Sequence, residues 1–373
     1  MVFRILGMSI FRWMIVCFFL SLLHVTYAEN IGTFVVLSDL HYNPKASNTH
    51  YPSAATDSNK ALLDSVINHI ADETTKEKSK PDFFLIIGDF LAHDFTSICP
   101  QDKKCVQDAI KYPLQSIWAT QDGVFKNIPL YAALGNNDAY AGNYKLSSKD
   151  GFFGDVGTIF AKYAFPDGVP TDFLTTYKSN YGSYTATIPA TCGTAITTRC
   201  KKIMVLNTVL FANKGSLLTC DNGDCTLFRK NMISYINSQI TRNGIPAFVA
   251  THIPDSKSFG WDDQAQPQIT EQTTLFLQCT SGHLNCVKGI FAGHVHMFVR
   301  NIQTASSPKN VPSLIAPSVT PINGATPGFL IISYDRDNGK LTQVQRFYID
   351  NYGTTLAGKA ITTSISWSHQ VVQ

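Results

Sequence analysis

The sequence predicts an α/β chain whose second half is rich in strands, and three observations carry that expectation. Short apolar, β-branched runs end repeatedly at turn residues. Amphipathic helical stretches separate the first three of those runs. From Val295 onward short strands follow one another with turns and little helix between.

The first run, residues 33–38, is followed by a helical stretch at 58–73, a second run at 83–88, a helical stretch at 106–120 and a third run at 130–135. Further runs lie at 202–208, 247–252 and 287–293, with an amphipathic segment at 226–242 before the second of these. Their near-continuous hydrophobicity is that of strands buried on both faces, as in a parallel sheet. Shorter strands are predicted at 314–317, 329–334 and 342–348. With 44% apolar and only 15% charged residues, the 373-residue chain can bury a sizeable core. No linker interrupts it, so one domain spanning 29–350 is the simplest organisation, with 351–373 a tail of unassigned role. A net charge of +3 and the lack of any long basic run give no reason to expect duplex nucleic-acid binding.

The polar residues of interest sit where these strands end, which is where open α/β sheets bind ligands. Asp39-Leu40-His41 follows the first strand, Gly88-Asp89 with His93 the second, and Gly135-Asn136-Asn137-Asp138 the third. His252 closes a later strand, and Gly293-His294-Val295-His296 another. Singly, such an Asp is commonly a helix N-cap and such a His a satisfied core residue. Five blocks in this order, holding five of the ten histidines, form a pattern instead. Imidazoles and carboxylates together suit a pair of divalent ions that clamp a phosphate for in-line attack. In D-x-H and H-x-H an extended backbone would turn both side chains to one side, and the glycines before Asp89, Asn136 and His294 would leave room for metal and substrate.

On these blocks the chain resembles the calcineurin-like metallophosphoesterase superfamily, whose pattern reads D-x-H, G-D, G-N-H-[DE], H, G-H-x-H. Within it, Asp39-Leu40-His41-Tyr42-Asn43-Pro44 and the placing of His93 four residues after Asp89 resemble the acid sphingomyelinase-like phosphodiesterases. The resemblance implies two packed mixed β-sheets flanked by helices, a four-layer sandwich. It assigns Asp39, His41, Asp89 and His296 to one metal ion and Asp89, Asn136, His252 and His294 to the other, with Asp89 bridging. The ions would be zinc, or iron or manganese as in some relatives, and a metal-bridging hydroxide would attack the phosphoester. His93 matches a histidine that contacts phosphate. Asn137 stands where the family usually has a histidine that assists the leaving group. An amide donates a hydrogen bond but delivers no proton, so the proton-donor role falls to His93. A similar G-N-N-D block occurs in vacuolar endopolyphosphatases of the same broad group.

The first 28 residues read as an export signal. Arg4 and Arg12 precede an uncharged run from Trp13 to Leu23, and Thr26-Tyr27-Ala28 forms a small-x-small ending. That run is too short for a bilayer, which needs about 20 apolar residues, so no stable membrane span is expected. Eight cysteines follow Cys17 in four close pairs without C-x-x-C spacing. In an exported chain this predicts local disulfides Cys99–Cys105, Cys192–Cys200, Cys220–Cys225 and Cys279–Cys286 rather than structural zinc. Few residues separate the signal from Asp39, which favours a small soluble phosphoester, such as a nucleotide, over membrane sphingomyelin. The expected function is a secreted, periplasmic or lysosome-like phosphodiesterase. Endopolyphosphatase, sphingomyelin phosphodiesterase and a catalytically silent binding protein of the same fold are the alternatives.

Overall fold

Six strands make each of two mixed sheets, and the chain builds them largely in sequence order. The computed structural model describes residues 30–76, 80–192, 200–212, 218–223, 225–243, 246–254, 287–300 and 311–372. The export signal and the Cys279–Cys286 pair expected from the sequence lie outside the described residues. The elements that matter here are β1 (Ile31–Ser38), α1 (Lys60–Lys76), β2 (Phe83–Ile87), α2 (Lys103–Ala119) and β3 (Leu130–Ala133). Then follow α3 (Phe152–Ala164), α4 (Phe173–Ser179), β4 (Tyr184–Thr187), β5 (Lys202–Leu206), α5 (Thr226–Asn243), β6 (Phe248–Thr251) and β7 (Gly289–Ala292). The chain finishes with β8 (Val299–Arg300), β9 (Ser313–Ile315), β10 (Gly328–Asp335), β11 (Leu341–Ile349) and β12 (Trp367–Val372).

The first sheet has the order β12-β11-β10-β1-β2-β3 and the second β4-β5-β6-β7-β9-β8. β1, β2 and β3 are parallel, as are β5, β6, β7 and β9, while β10 to β12 run antiparallel to their neighbours. Parallel pairing demands a crossover, which α1 and α2 supply between the first three strands. Each helix start has a chemical cause: Asn59 Oδ1 accepts from Leu62 N at 3.0 Å, and Asp102 Oδ1 accepts from Cys105 N at 3.0 Å. The second cap explains why α2 begins before residue 106, where the apolar periodicity alone sets in.

The core lies between the sheets. Phe34 of β1 meets Phe248 of β6 and Phe291 of β7 at ring-centroid distances of 5.4 Å, and Phe248 lies 5.5 Å from Tyr334 of β10. Burying each such ring is worth about 1.5–3 kcal/mol. At the amino ends of the parallel strands Asp82 accepts from Arg336 Nε at 2.8 Å, Arg336 Nη2 at 2.7 Å and Tyr334 Oη at 2.8 Å, tying β2 to β10.

On the outer face α1 lays His69 against Trp367 of β12, stacked at 4.2 Å. Residues beyond 350, left without a role by the sequence, thus include an edge strand that pairs with β11 from Val344↔Val372 to Ile349↔Trp367. Three of the four expected disulfides fall within the described residues and are formed: Cys99–Cys105, Cys192–Cys200 and Cys220–Cys225. None of the described helices is long and apolar enough to cross a membrane.

Candidate metal centre

The carboxyl ends of β1, β2, β3, β6 and β7 converge, and with them all five sequence blocks. The backbone there is not extended, which corrects the reading of the two H-containing triplets. Asp39 (φ 49°), His41 (φ 42°), Asp89 (φ 51°), His294 (φ 73°) and His296 (φ 58°) all occupy the left-handed region. For non-glycine residues this costs roughly 1–2 kcal/mol each and persists only where surroundings dictate it. Those surroundings are visible: His41 N donates to Asp89 O at 2.8 Å, Asp39 N donates to Gly88 O at 3.2 Å, and His294 N donates to Asp39 Oδ2 at 3.0 Å. A Cβ on Gly293 would collide with Ser38 Oγ and reach Asp39 Oδ2 at 2.9 Å, so only glycine lets this turn approach β1.

Because the turn replaces an extended segment, the two histidines after β7 diverge to different neighbours. Asp39, His41 and His296 form one group whose ligand atoms all lie within 4.8 Å of one another; Asp89, His252 and His294 form a second. Asp89 joins them. Its Oδ2 lies 3.3 Å from His41 Nε2 and 3.3 Å from His252 Nε2. His41 Nε2 is also 3.1 Å from His296 Nε2, His296 Nε2 is 3.4 Å from Asp39 Oδ1, and His252 Nε2 is 3.1 Å from Asn136 Oδ1.

The ring nitrogens facing away are committed. His41 Nδ1 donates to Leu91 O at 3.1 Å and His252 Nδ1 to Ile87 O at 2.8 Å. In the neutral imidazole this sends the Nε2 lone pair inward. The centre therefore gathers carboxylate oxygens, an amide oxygen and imidazole lone pairs with few donors among them, a set that fits divalent cations.

The electrostatics keep Asp39 and Asp89 ionised and set the two inner imidazoles apart. Burial drives the His41 pKa down to about 4, outweighing Asp89. Burial also opposes a proton on His252, yet Asp89 and Asp39 hold its pKa up at about 10. Burial works against ionising Asp39, but His296 and His252 keep it at about 2, and Asp89 is likewise held well below the usual carboxylate range by His252 and His41. Asp138 is pushed up to about 7 by burial and by Asp89. It is used structurally, accepting from Phe90 N at 2.9 Å, Leu91 N at 3.1 Å and Gly135 N at 2.8 Å, so it ties the loop after β2 to the loop after β3.

His93, expected to donate the proton, and Asn137, which stands in the family's histidine position, are both near the centre, in different ways. His93 stacks on His41 at 4.1 Å, with its side chain 35% exposed, and stands on the wall of a cleft of about 570 Å³ that also reaches Asp89, Asn136, His294 and His296. Asn137 is buried beneath: its N and Nδ2 donate to Asp89 Oδ1 at 2.8 Å and Oδ2 at 2.9 Å, so its amide is spent on the carboxylate.

Sequence reasoning missed Asp57, which accepts from His93 N at 2.8 Å and faces His93 Nδ1 at 2.8 Å, and Asn143, whose Oδ1 accepts from Asn136 Nδ2 at 2.8 Å. Neither sits at a strand end, and nothing in the local sequence marks them.

Two six-stranded mixed sheets carrying carboxylates, an amide and imidazoles at their converging strand ends define a metallophosphoesterase class of protein. The profile of the calcineurin-like phosphoesterase family matches residues 32–298, and the chain belongs to that family. It is similar to the sphingomyelinase phosphodiesterase D of Dictyostelium discoideum, 24% identical over 84% of this chain and 65% of that protein. It is also similar to the acid sphingomyelinase-like phosphodiesterase 3b of Mus musculus, 24% identical over 92% of this chain and 75% of that one. The chain thus spans a little under two thirds of the length of the Dictyostelium relative. A dimetal phosphatase from Danio rerio superposes over 91% of this chain and 98% of its own with a TM-score of 0.46 at 9% identity.

Proposed function

We propose that the chain is an exported phosphodiesterase that works with two divalent metal ions, zinc foremost. The observation that carries the reading is Asp89 Oδ2, set 3.3 Å from an imidazole of each ligand group, the position of a bridging carboxylate. Asp39, His41 and His296 would hold one ion with Asp89, and Asn136, His252 and His294 the other. The ions, when bound, would polarise the phosphoryl oxygens and lower the pKa of the attacking water.

The chain's own residues do the rest. Asn137 holds both oxygens of Asp89 in place through its two donors. Asn143 turns Asn136 so that its Oδ1 faces His252. His93 is the proton donor to the leaving group. Asp57 accepts from its Nδ1, which fixes the ring and leaves Nε2 free for the cleft. The Asp57 carboxylate, against the opposing effect of burial, also raises the His93 pKa, so the ring holds its proton further toward neutrality. Names of the relatives support a phosphodiester substrate, and the three formed disulfides support an oxidising destination.

Metal analysis of the purified chain together with hydrolysis of bis(p-nitrophenyl) phosphate tests the reading. Two metal equivalents and turnover that a chelator removes and zinc restores are expected. A chain that binds two ions and turns over no phosphoester in a broad panel would instead be a binding protein of this fold.

A further inference from the structure

The cleft has a second feature away from the histidine–carboxylate centre. Arg346 of β11 lies on its wall, and β11 belongs to the antiparallel part of the first sheet, not to the strands that carry the five blocks. Its guanidinium sits 5.6 Å from the ring centroid of Phe298, two residues after His296, and 4.7 Å from that of Tyr348. These rings hold the planar group between β11 and the loop after β7. The residue is half-buried, and its Nε is shielded from solvent with no hydrogen-bond partner among the described residues. No carboxylate among the described residues comes within ion-pair distance of it. A permanent charge held in this way on the wall of the cleft, with no anion beside it among the described residues, is placed to take an anionic group of a ligand.

We propose that Arg346 is a specificity residue that takes a second phosphoryl group of the same substrate, beyond the phosphoryl held at the histidine–carboxylate centre. This rests on the reading of the cleft as a phosphoester site and goes further by naming the chemistry of the group attached. A guanidinium matches the fork of two phosphoryl oxygens and repels a cationic head group. Asn323, whose backbone is held in the left-handed region at φ 61°, and Thr326 line the same wall and offer neutral polar contacts to the linking atoms. The preferred substrate therefore carries adjacent phosphoryl groups, not a phosphoryl next to a quaternary amine.

The test is calorimetric titration of the metal-loaded full-length chain with AMP and with α,β-methylene-ADP, divalent metal being kept in excess of both. The wild-type chain should favour the two-phosphoryl ligand by about ten- to hundredfold, the range of a charge-assisted hydrogen-bonded contact. Arg346→Gln should bring the ratio of the two affinities to about one, and Arg346→Lys, a point charge without the fork, should leave it in between. Thermal melts of both variants confirm that the ratio is read on folded protein. A wild-type ratio near one, or a preference that survives in Arg346→Gln, overturns the assignment. Wild-type turnover of bis(p-nitrophenyl) phosphate is scored separately: its absence sinks the hydrolytic reading, while the affinity ratio still decides the role of Arg346.

Discussion

The two halves of the centre use the same side chain at the same distance and obtain opposite chemistry from it. His41, after β1 of the first sheet, and His252, after β6 of the second, both place Nε2 3.3 Å from Asp89 Oδ2, and both anchor Nδ1 on a backbone carbonyl. His41 has imidazoles around it: His93 stacked on one side and His296 at 3.1 Å. His252 has the Asn136 amide oxygen instead, while Asp39 is common to both rings, 3.9 Å from His41 Nε2 and 4.0 Å from His252 Nε2. The first ring is pressed toward neutrality and the second toward protonation. A ligand motif specifies which residues are present, while the neighbours decide what each one holds.

The comparison breaks most completely if its shared carboxylate is removed. Asp89→Asn should lower turnover by orders of magnitude and cut metal content below two equivalents, read by elemental analysis of the folded variant. Full metal content with near-normal turnover would end the bridging assignment. Next in size is the proton path on the first-sheet half. His93→Asn should slow an alkyl or nucleotide ester by roughly 10²–10³ while slowing a nitrophenyl ester far less, because acidic phenols leave unaided. Asp57→Asn should show the same leaving-group dependence at about 10²-fold or less, the cost of a misaligned group. Equal losses on both ester types would make His93 and Asp57 phosphate-positioning residues only.

The protonation contrast itself is open to imidazole NMR on the chain stripped of metal. Between the values of about 4 for His41 and about 10 for His252, only His252 should carry the extra proton. Metal entry at the His252 half must then displace that proton, so apparent affinity there rises with pH across this window. Two rings titrating together would refute the asymmetry.

The smallest effect lies outside the centre, at His69. Burial beneath Trp367 lowers its pKa below the ordinary 6.5, with Glu73 only partly opposing. The unfolded chain therefore binds the proton more readily. The His69 contribution is fully present above about 6.5 and is lost as pH falls below that value toward the depressed folded pKa. Hydrogen exchange should report β12 loosening first on acidification, and His69→Gln should flatten that dependence. A β12 equally protected on both sides of the window would assign the packing no pH sensitivity.

Much of the fold was legible because the parallel strands are buried on both faces and read as unbroken apolar runs. α3 escaped notice although Phe152, Val156, Phe160 and Tyr163 recur at helical spacing and are all buried. β4 and β12 were illegible for a different reason. β4 alternates buried and accessible residues over only four positions, and β12 has no buried residue in its run at all.

What the sequence by itself determined is the order of the ligand blocks and their place at strand ends, since each is local and a strand's end is marked by the turn that follows. Three of the four expected local disulfides were legible in the same way, by proximity along the chain, the Cys279–Cys286 pair lying outside the described residues. The family resemblance already assigned His294 and His296 to different groups, and the tertiary structure supplied the cause, left-handed turns held by contacts to the ends of β1 and β2. It alone brought Asp57 to His93 across 36 residues and Arg346 to Phe298 across two sheets. Such pairings leave no mark in the local sequence, because their energies depend on distances that only chain closure sets.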